Sequence, residues 1–412
     1  MKSAFSLYAP SFPRRRESSK LNIPQSGQNH LVSLREKCIS NWIPACIKGR
    51  QFATRRAECK VGTAGMTFHW GFHLVILSAV LLLSACGGKE LFYQEQAYVF
   101  GTQVDVSIYG EDEAKARQAV VLVMHEFQRL HDKLHAWKPS ELSELNTAIA
   151  HGKGKKVSPE LVAILKDAAH VSAQSGGLFN PSIGGLIQAW GFQADDFKAV
   201  LPNQKKIAAL VKAHPQMSDL VITPAEVRSR NKTVRLDLGG YAKGYALDRA
   251  AEILRKQGIH NALINIGGNV LALGMHGSRA WRIGIQHPRK PGPIATLELH
   301  DSEAIGTSGD YQRYFELDGK RYCHLIDPRT GYPVQGVEAV TILTHGEHAG
   351  LLSDAASKPL FISGASGWRN AAHQMQLEEA LLIDDRGAVH LTATMQKRLK
   401  FIDESTPRRI EP

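Results

Sequence analysis

"RLDLGGYAKGYALDRAA", Arg235 to Ala251, packs an alternating apolar run, a double glycine and the opening of an amphipathic helix into one stretch. Val234, Leu236 and Leu238 alternate with Arg235 and Asp237, which predicts a strand running into the glycines. From Tyr245 the spacing is helical, and Gly258 stops it. A strand, a glycine turn and a helix N-terminus make an anion site, because unpaired backbone N–H groups and the helix dipole point outward. The common nucleotide signatures are nevertheless missing. Gly239 and Gly244 have P-loop spacing, but Tyr245-Ala246 stands where Lys-Ser/Thr belongs, and there is no G-x-G-x-x-G. By itself the stretch leaves a phosphate cradle and an ordinary tight turn both open.

Working outward from this turn, "YVFGTQVDVSIYG" alternates like a strand and "DEAKARQAVVLVMHEFQRLHDKLH" reads as a long amphipathic helix. In "SPELVAILKDAAHVSAQSGG", Ser158 is the expected N-cap, Pro159 the first helical residue and Gly176 the stop. Further strands and helices alternate irregularly, without internal repeats or a Pro-rich linker. They predict one α+β domain over 97–400, with 401–412 as a tail. Residues 196–232, polar and Lys-rich, read as a surface excursion.

The net charge of +11 suggests a nucleic-acid partner only until it is located. Residues 1–65 carry twelve Lys and Arg against three Glu, which leaves +2 for the rest of the 412-residue chain, so nucleic-acid binding loses its chief support. Those 65 residues show no sustained apolar period and read as an extension without a domain, with translation expected to start at or near Met66. Next comes "MTFHWGFHLVILSAVLLLSACGG", whose run from Leu74 to Leu83 is apolar apart from Ser78. It is short for a membrane span and ends in small residues, the layout of a secretory signal over 66–85 cleaved before Cys86. The alternative is a 65-residue tail ahead of a buried apolar helix. After such cleavage only Cys86 and Cys323 remain, so no disulfide framework is available.

The most informative passage is "TSGDYQRYFELDGKRYCHLIDPRTGYPV". Asp318-Gly319 signals a two-residue hairpin that pairs Leu317 with Lys320, Phe315 with Tyr322, and Arg313 with His324. The open end then gathers Thr307–Asp310 and Asp327–Gly331, two expected loops rich in hydroxyls and carboxylates, as a polar ligand site needs. Alternatively Asp310 and Asp327 cap turns, and His324 is a structural histidine on a strand. In "GLLSDAASKPLFI", Asp354 falls at an expected helix start, where an N-cap carboxylate competes with a functional one. "GGLFNPSIGGLIQAWGF" suits either a loop stacked on a planar ligand or core packing of Phe179, Trp190 and Phe192. His125, His131 and His135 lack the second histidine of H-E-x-x-H and read as an exposed helix face.

In chain order, "VFGTQVDV", "LHAWKPSELSELN", "LFNPSIGGLIQAWGF", "DLGGYAKGYALDRAA", "ALINIGGNV", "WRIGIQHP", "TSGDYQRYF", "HLIDPRTGYPV" and "SDAASKPL" resemble the ApbE-like FAD:protein FMN transferases. The resemblance implies a single α+β domain related to the T-fold, with mixed and antiparallel sheets and packed helices. It implies cleavage of FAD, attachment of FMN by a phosphoester bond to Thr or Ser of a target protein, and release of AMP. The implied targets are redox-pump subunits of the NADH:quinone or electron-transport type, carrying an Asp/Ser-Gly-x-Thr/Ser-x-Thr-like acceptor. Mg²⁺ is the implied metal, FAD the substrate.

Carried over by position, the resemblance puts metal ligands at the Ala242 carbonyl, at Asp354 and at residue 358. The last is Lys358 where the family usually has Thr, and an ammonium cannot ligate Mg²⁺. Flavin and adenine contacts fall at Phe100, Trp137, Leu178, Phe179, Asn180, Gly239, Lys243, Tyr245 and Leu325. Phe100, Trp137 and Asn180 replace the usual Met, Tyr and Asp. His324 and Asp354 are the candidate bases. "LSAC" resembles a bacterial lipobox, which implies lipidation of Cys86, a tether over 86–96 and a lipid-anchored, periplasm-facing enzyme. A metal-dependent FAD pyrophosphatase and a non-enzymatic flavin-binding lipoprotein are the rival readings.

Overall fold

The computed structural model describes residues 91–411 apart from Asp195 and Phe197. The expected extension, signal segment and Cys86 lie outside the described residues. Nine strands build the main sheet, in spatial order Phe92–Val99, Thr102–Tyr109, Ala262–Ile266, Asn269–Leu273, Glu303–Gly309, Val337–His345, Glu379–Asp384, Val389–Thr392 and Arg408–Glu411. All neighbours are antiparallel except the last pair, which is parallel. The first strand opens at Phe92 and the last ends at Glu411, so the folded body reaches beyond 97–400 at both ends.

Both faces of the sheet are covered, because its central strands are apolar on alternate sides. Leu271, Val340, Ile342, Ala380 and Leu382 face the helical layer. Their neighbours Ala272, Ala339, Leu343, Leu381 and Ile383 pack with a three-stranded sheet made of Trp281–Gln286, Pro293–Leu299 and Lys400–Phe401. In the helical layer the long helix Glu113–Lys133 is capped by Asp112, which accepts from the Lys115 N–H at 3.0 Å. Its buried Ala116, Val120, Val123, Phe127 and Leu130 keep the three-to-four spacing of one face. Helix Pro159–Gln174 has Ser158 as N-cap and ends at Gly176, φ +62°, as its sequence predicts.

The hairpin also follows its sequence. Asp318 and Gly319 take φ of +50° and +72°, the primed turn that matches strand twist, and Phe315 pairs with Tyr322 and Leu317 with Lys320. It packs in a separate cluster with Trp190, Phe192 and Ile183. Trp190 donates its indole N–H to the Gly331 carbonyl at 2.8 Å, fixing the Asp327–Gly331 loop. Core packing therefore accounts for Trp190 and Phe192.

Three expectations are corrected. Val234–Leu238 is extended but not a strand; only Arg235 bridges, to Ile183, because the buried Asn146 side chain takes both the Leu236 N–H (2.7 Å) and its carbonyl (2.8 Å). The following helix runs Ala242–Lys256 and so begins three residues before Tyr245. Thr307–Gly309 is not a loop but the end of a central strand, where its hydroxyls find partners: Thr307 with Thr341 and Ser308 with Ser357. The 196–232 segment lies mostly at the surface and has structure of its own, with helix Gln204–Ala213 capped by Asn203, the hairpin strands Leu220–Ile222 and Val227–Ser229, and Ile207, Met217 and Val227 buried.

Candidate active site

The glycine turn leads into helix Ala242–Lys256, which crosses helix Ala349–Ala355 at two glycines. A Cβ on Gly244 would stand 2.4 Å from the Gly350 carbonyl oxygen and 2.7 Å from Asp354 Cβ. A Cβ on Gly350 would stand 2.6 Å from Asp248 Oδ1. Only glycine at both positions allows this approach. Across it the helices cap each other. Asp354 Oδ2 accepts from the Gly244 N–H at 3.0 Å, while Asp248 accepts from Gly350 N–H and Leu351 N–H, both at 2.8 Å. Asp354 is therefore not at a helix start, as its sequence context suggests. It lies near the end of Ala349–Ala355 and caps a different helix.

Around Asp354, whose side chain is fully buried, stand the ammonium of Lys358, paired with Oδ1 and donating to the Asp354 carbonyl at 2.7 Å, and that of Lys243. Burial alone would push the Asp354 carboxyl up, but the two lysines and the Gly244 N–H outweigh it and hold it below the usual carboxylate range. Lys243 is lowered by burial and by the neighbouring Lys358 and Arg313, an effect Asp354 only partly offsets.

His324 continues the hairpin strand beside Arg313, as its register predicts. Its backbone N–H donates to the Arg313 carbonyl at 3.0 Å, and Nδ1 donates to the same oxygen at 3.2 Å. A carbonyl can only accept, so Nδ1 carries the proton and Nε2 is the basic nitrogen. Burial, with the Arg313 and Lys243 cations, pushes its pKa down to about 3, which keeps the ring neutral.

The remaining sequence-derived residues divide. Phe179 lies beside Gly240, its ring 3.9 Å from where a Cβ would be. Asn180 closes its own loop, accepting from Ser182 N–H at 3.0 Å and donating to the Pro215 carbonyl at 2.9 Å, with Leu178 half-buried just before it. Phe100 sits in a left-handed turn (φ +56°) against Phe127 and His131, and a Cβ on the adjacent Gly101 would stand 4.0 Å from an Arg313 guanidinium nitrogen. Gly239 is exposed and donates its N–H to Asp237 Oδ1 at 3.0 Å. Leu325 is buried in the main core. Trp137 packs edge-on to His135, and Tyr245 stacks on Tyr241. Asp248, which the sequence reading missed, lies four residues after Gly244 on the same helix face; that spacing was its available signal.

A sequence profile of the ApbE family matches residues 100–382. The chain belongs to the ApbE family. A protein of Rhodobacter capsulatus called FAD:protein FMN transferase is 40% identical over 362 residues, 88% of this chain and 67% of that one. One of Klebsiella pneumoniae with the same name is 32% identical over 284 residues, covering 65% and 79%. Among solved structures, the ApbE protein of Thermotoga maritima has a TM-score of 0.68 at 29% identity and covers 74% of this chain and 99% of that one. The flavin transferase ApbE of Vibrio cholerae has a TM-score of 0.66 at 25% identity, covering 75% and 100%.

Within this ApbE fold the Mg²⁺ implied by the resemblance does not fit the side chains. Both Asp354 oxygens are engaged, residue 358 is an ammonium without a lone pair, and Ala242 opens a helix whose ladder uses its carbonyl. Among the described residues no group of three or more His, Cys, Asp or Glu could hold a metal. A surface groove of about 550 Å³ lies on the long helix, but its Glu113 and Arg117 pair with each other at 2.7 Å and no further ionisable set converges there.

Proposed function

We propose that this protein is an FAD:protein FMN transferase. The oxygen of a Thr or Ser hydroxyl on a target protein bonds to the phosphorus of the FMN half of FAD. The bridging P–O bond breaks, and AMP leaves with that oxygen. Lys358 and Lys243 face the pyrophosphate charge, which offsets the cations that depress His324, so that its Nε2 regains part of its basicity and takes the hydroxyl proton. Asp354, with both oxygens bonded, holds Lys358 in place and is a poor candidate for the base. The carrying observation is the juxtaposition of two ammoniums, one buried carboxylate and a neutral histidine at the glycine turn, in a chain whose relatives bear that name.

The finer features rest on the sequence. The Mg²⁺ of the resemblance is part of the family's expected chemistry but finds no ligand set in these side chains. The acceptor is a short Asp/Ser-Gly-x-Thr/Ser-x-Thr-like motif on a redox-pump subunit. The enzyme is anchored through lipidated Cys86 on the periplasmic side of a bacterial membrane, and intact mass of the mature protein tests this: a product retaining Trp42 contradicts it.

The activity is tested by incubating the protein with FAD and a target bearing the motif. Flavin fluorescence that stays on the target in a denaturing gel supports transfer. Free FMN with AMP and an unlabelled target means hydrolysis, and unchanged FAD means binding alone. Asp354→Ala is expected to abolish labelling; full labelling by that variant contradicts the proposed arrangement.

A further inference from the structure

Lys358 is built into the glycine turn rather than resting on it. Its side chain is 15% exposed, and its ammonium is held by Asp354 Oδ1 and the Asp354 carbonyl. That carbonyl also accepts from Ser357 Oγ at 2.8 Å, and Ser357 Oγ is in turn bonded to Ser308 Oγ at 2.7 Å, so the backbone presenting the lysine is tied to the central sheet. On the opposite side, a Cβ on Gly240 would stand 3.1 Å from Lys358 Cε. The double glycine leaves room for this lysine.

The charge balance follows. A divalent cation approaching Asp354 would have to displace the Lys358 ammonium from Oδ1 and sit beside two positive side chains. Among the described residues no ion pair ties Lys243, so the cluster carries one more ammonium than carboxylate. It repels a second cation and attracts an anion. We propose that Lys358 takes the place of the divalent cation at Asp354, and that the protein binds the pyrophosphate of its nucleotide through Lys358 and Lys243 without a divalent ion. The nucleotide's identity rests on the flavin-transferase reading; the ammonium site does not.

The test is FAD affinity of the full chain, followed by flavin fluorescence in EDTA and in Mg²⁺, with calorimetry of Mg²⁺ alone. The wild type is expected to change its FAD Kd by less than about threefold between the two conditions and to give no Mg²⁺ binding isotherm. Lys358→Gln removes a charge-assisted contact and should weaken FAD roughly ten- to a hundredfold in EDTA, while Lys358→Arg keeps most of the affinity. Lys358→Thr should bind FAD weakly in EDTA and regain affinity with Mg²⁺. Circular dichroism establishes that each variant is folded, and the wild-type comparison decides even where one is not. A wild-type FAD affinity that drops more than about tenfold in EDTA, or a saturable Mg²⁺ isotherm, overturns the inference. Metal-indifferent FAD binding without labelling of any target defeats the transferase reading alone; metal-dependent binding with labelling intact defeats this inference alone.

Discussion

Two clusters of opposite charges, one on the hairpin and the strands beside it and one where three helices meet at the glycine turn, are built differently. Near the hairpin, Arg289 grips Asp310 with both terminal nitrogens, at 2.7 and 2.6 Å, and Glu338 at 3.0 Å; Arg321 adds Asp310 at 3.5 Å and Glu316 at 2.9 Å. Two cations there meet three carboxylates, and each cation is paired. At the glycine turn two ammoniums meet one carboxylate, and Lys243 is left over. In the first cluster every cation is paired within the chain, and the pairs tie the hairpin to the sheet. The second is complete only with an anion, which is what separates a ligand site from an architectural one when both hold buried charges.

The sharpest break of this contrast is Asp354→Ala. It leaves two ammoniums facing each other in a buried place, an expected loss of about 3–5 kcal/mol in denaturant unfolding, together with FAD binding. A loss below about 1 kcal/mol would mean that Lys358 reaches solvent by itself. Arg289→Ala should cost less, about 1–2 kcal/mol, because the guanidinium is one-third exposed and Arg321 still reaches Asp310. FAD affinity should be unchanged; a weakened affinity would make the hairpin cluster part of the site. Lys243→Gln should invert that pattern, with stability within about 0.5 kcal/mol of wild type or higher, and FAD affinity down at least about tenfold.

The same contrast governs what could be read in advance. The hairpin was legible because its information is local: Asp318-Gly319 fixes the turn, and the turn fixes the register that puts His324 beside Arg313. Helix Pro159–Gln174 was legible for the same reason, through Ser158, Pro159 and Gly176. The helix crossing was not, since Asp248 caps a helix about a hundred positions away and Asp354 returns the contact. Small polar residues misled twice. Thr307–Gly309 looked like a loop but is the end of a central strand, with Thr307 satisfied across the sheet and Ser308 by Ser357 of the helical layer, and Val234–Leu238 looked like a strand until a distant asparagine took its backbone bonds. Lys358 was visible as a departure from the family's threonine. Its pairing with Asp354 and the space under Gly240 needed the fold.

The smallest expected effect concerns the histidine that joins the two regions. His324 belongs to the hairpin but feels the cations of the glycine turn, with burial, Arg313 and Lys243 lowering its pKa from 6.5 to about 3. In the unfolded chain it titrates at its ordinary value. Between these two values the unfolded state binds more protons than the folded one, so stability falls as pH drops from about 6.5 toward 3. His324→Gln should therefore flatten the decline of the thermal midpoint between pH 7 and pH 5 while leaving the values near pH 8 almost unchanged. The same neutral ring predicts a transfer rate without an acid limb near pH 6.5. Parallel pH–stability curves for the two proteins would place the histidine in contact with water, outside the field of Lys243 and Arg313.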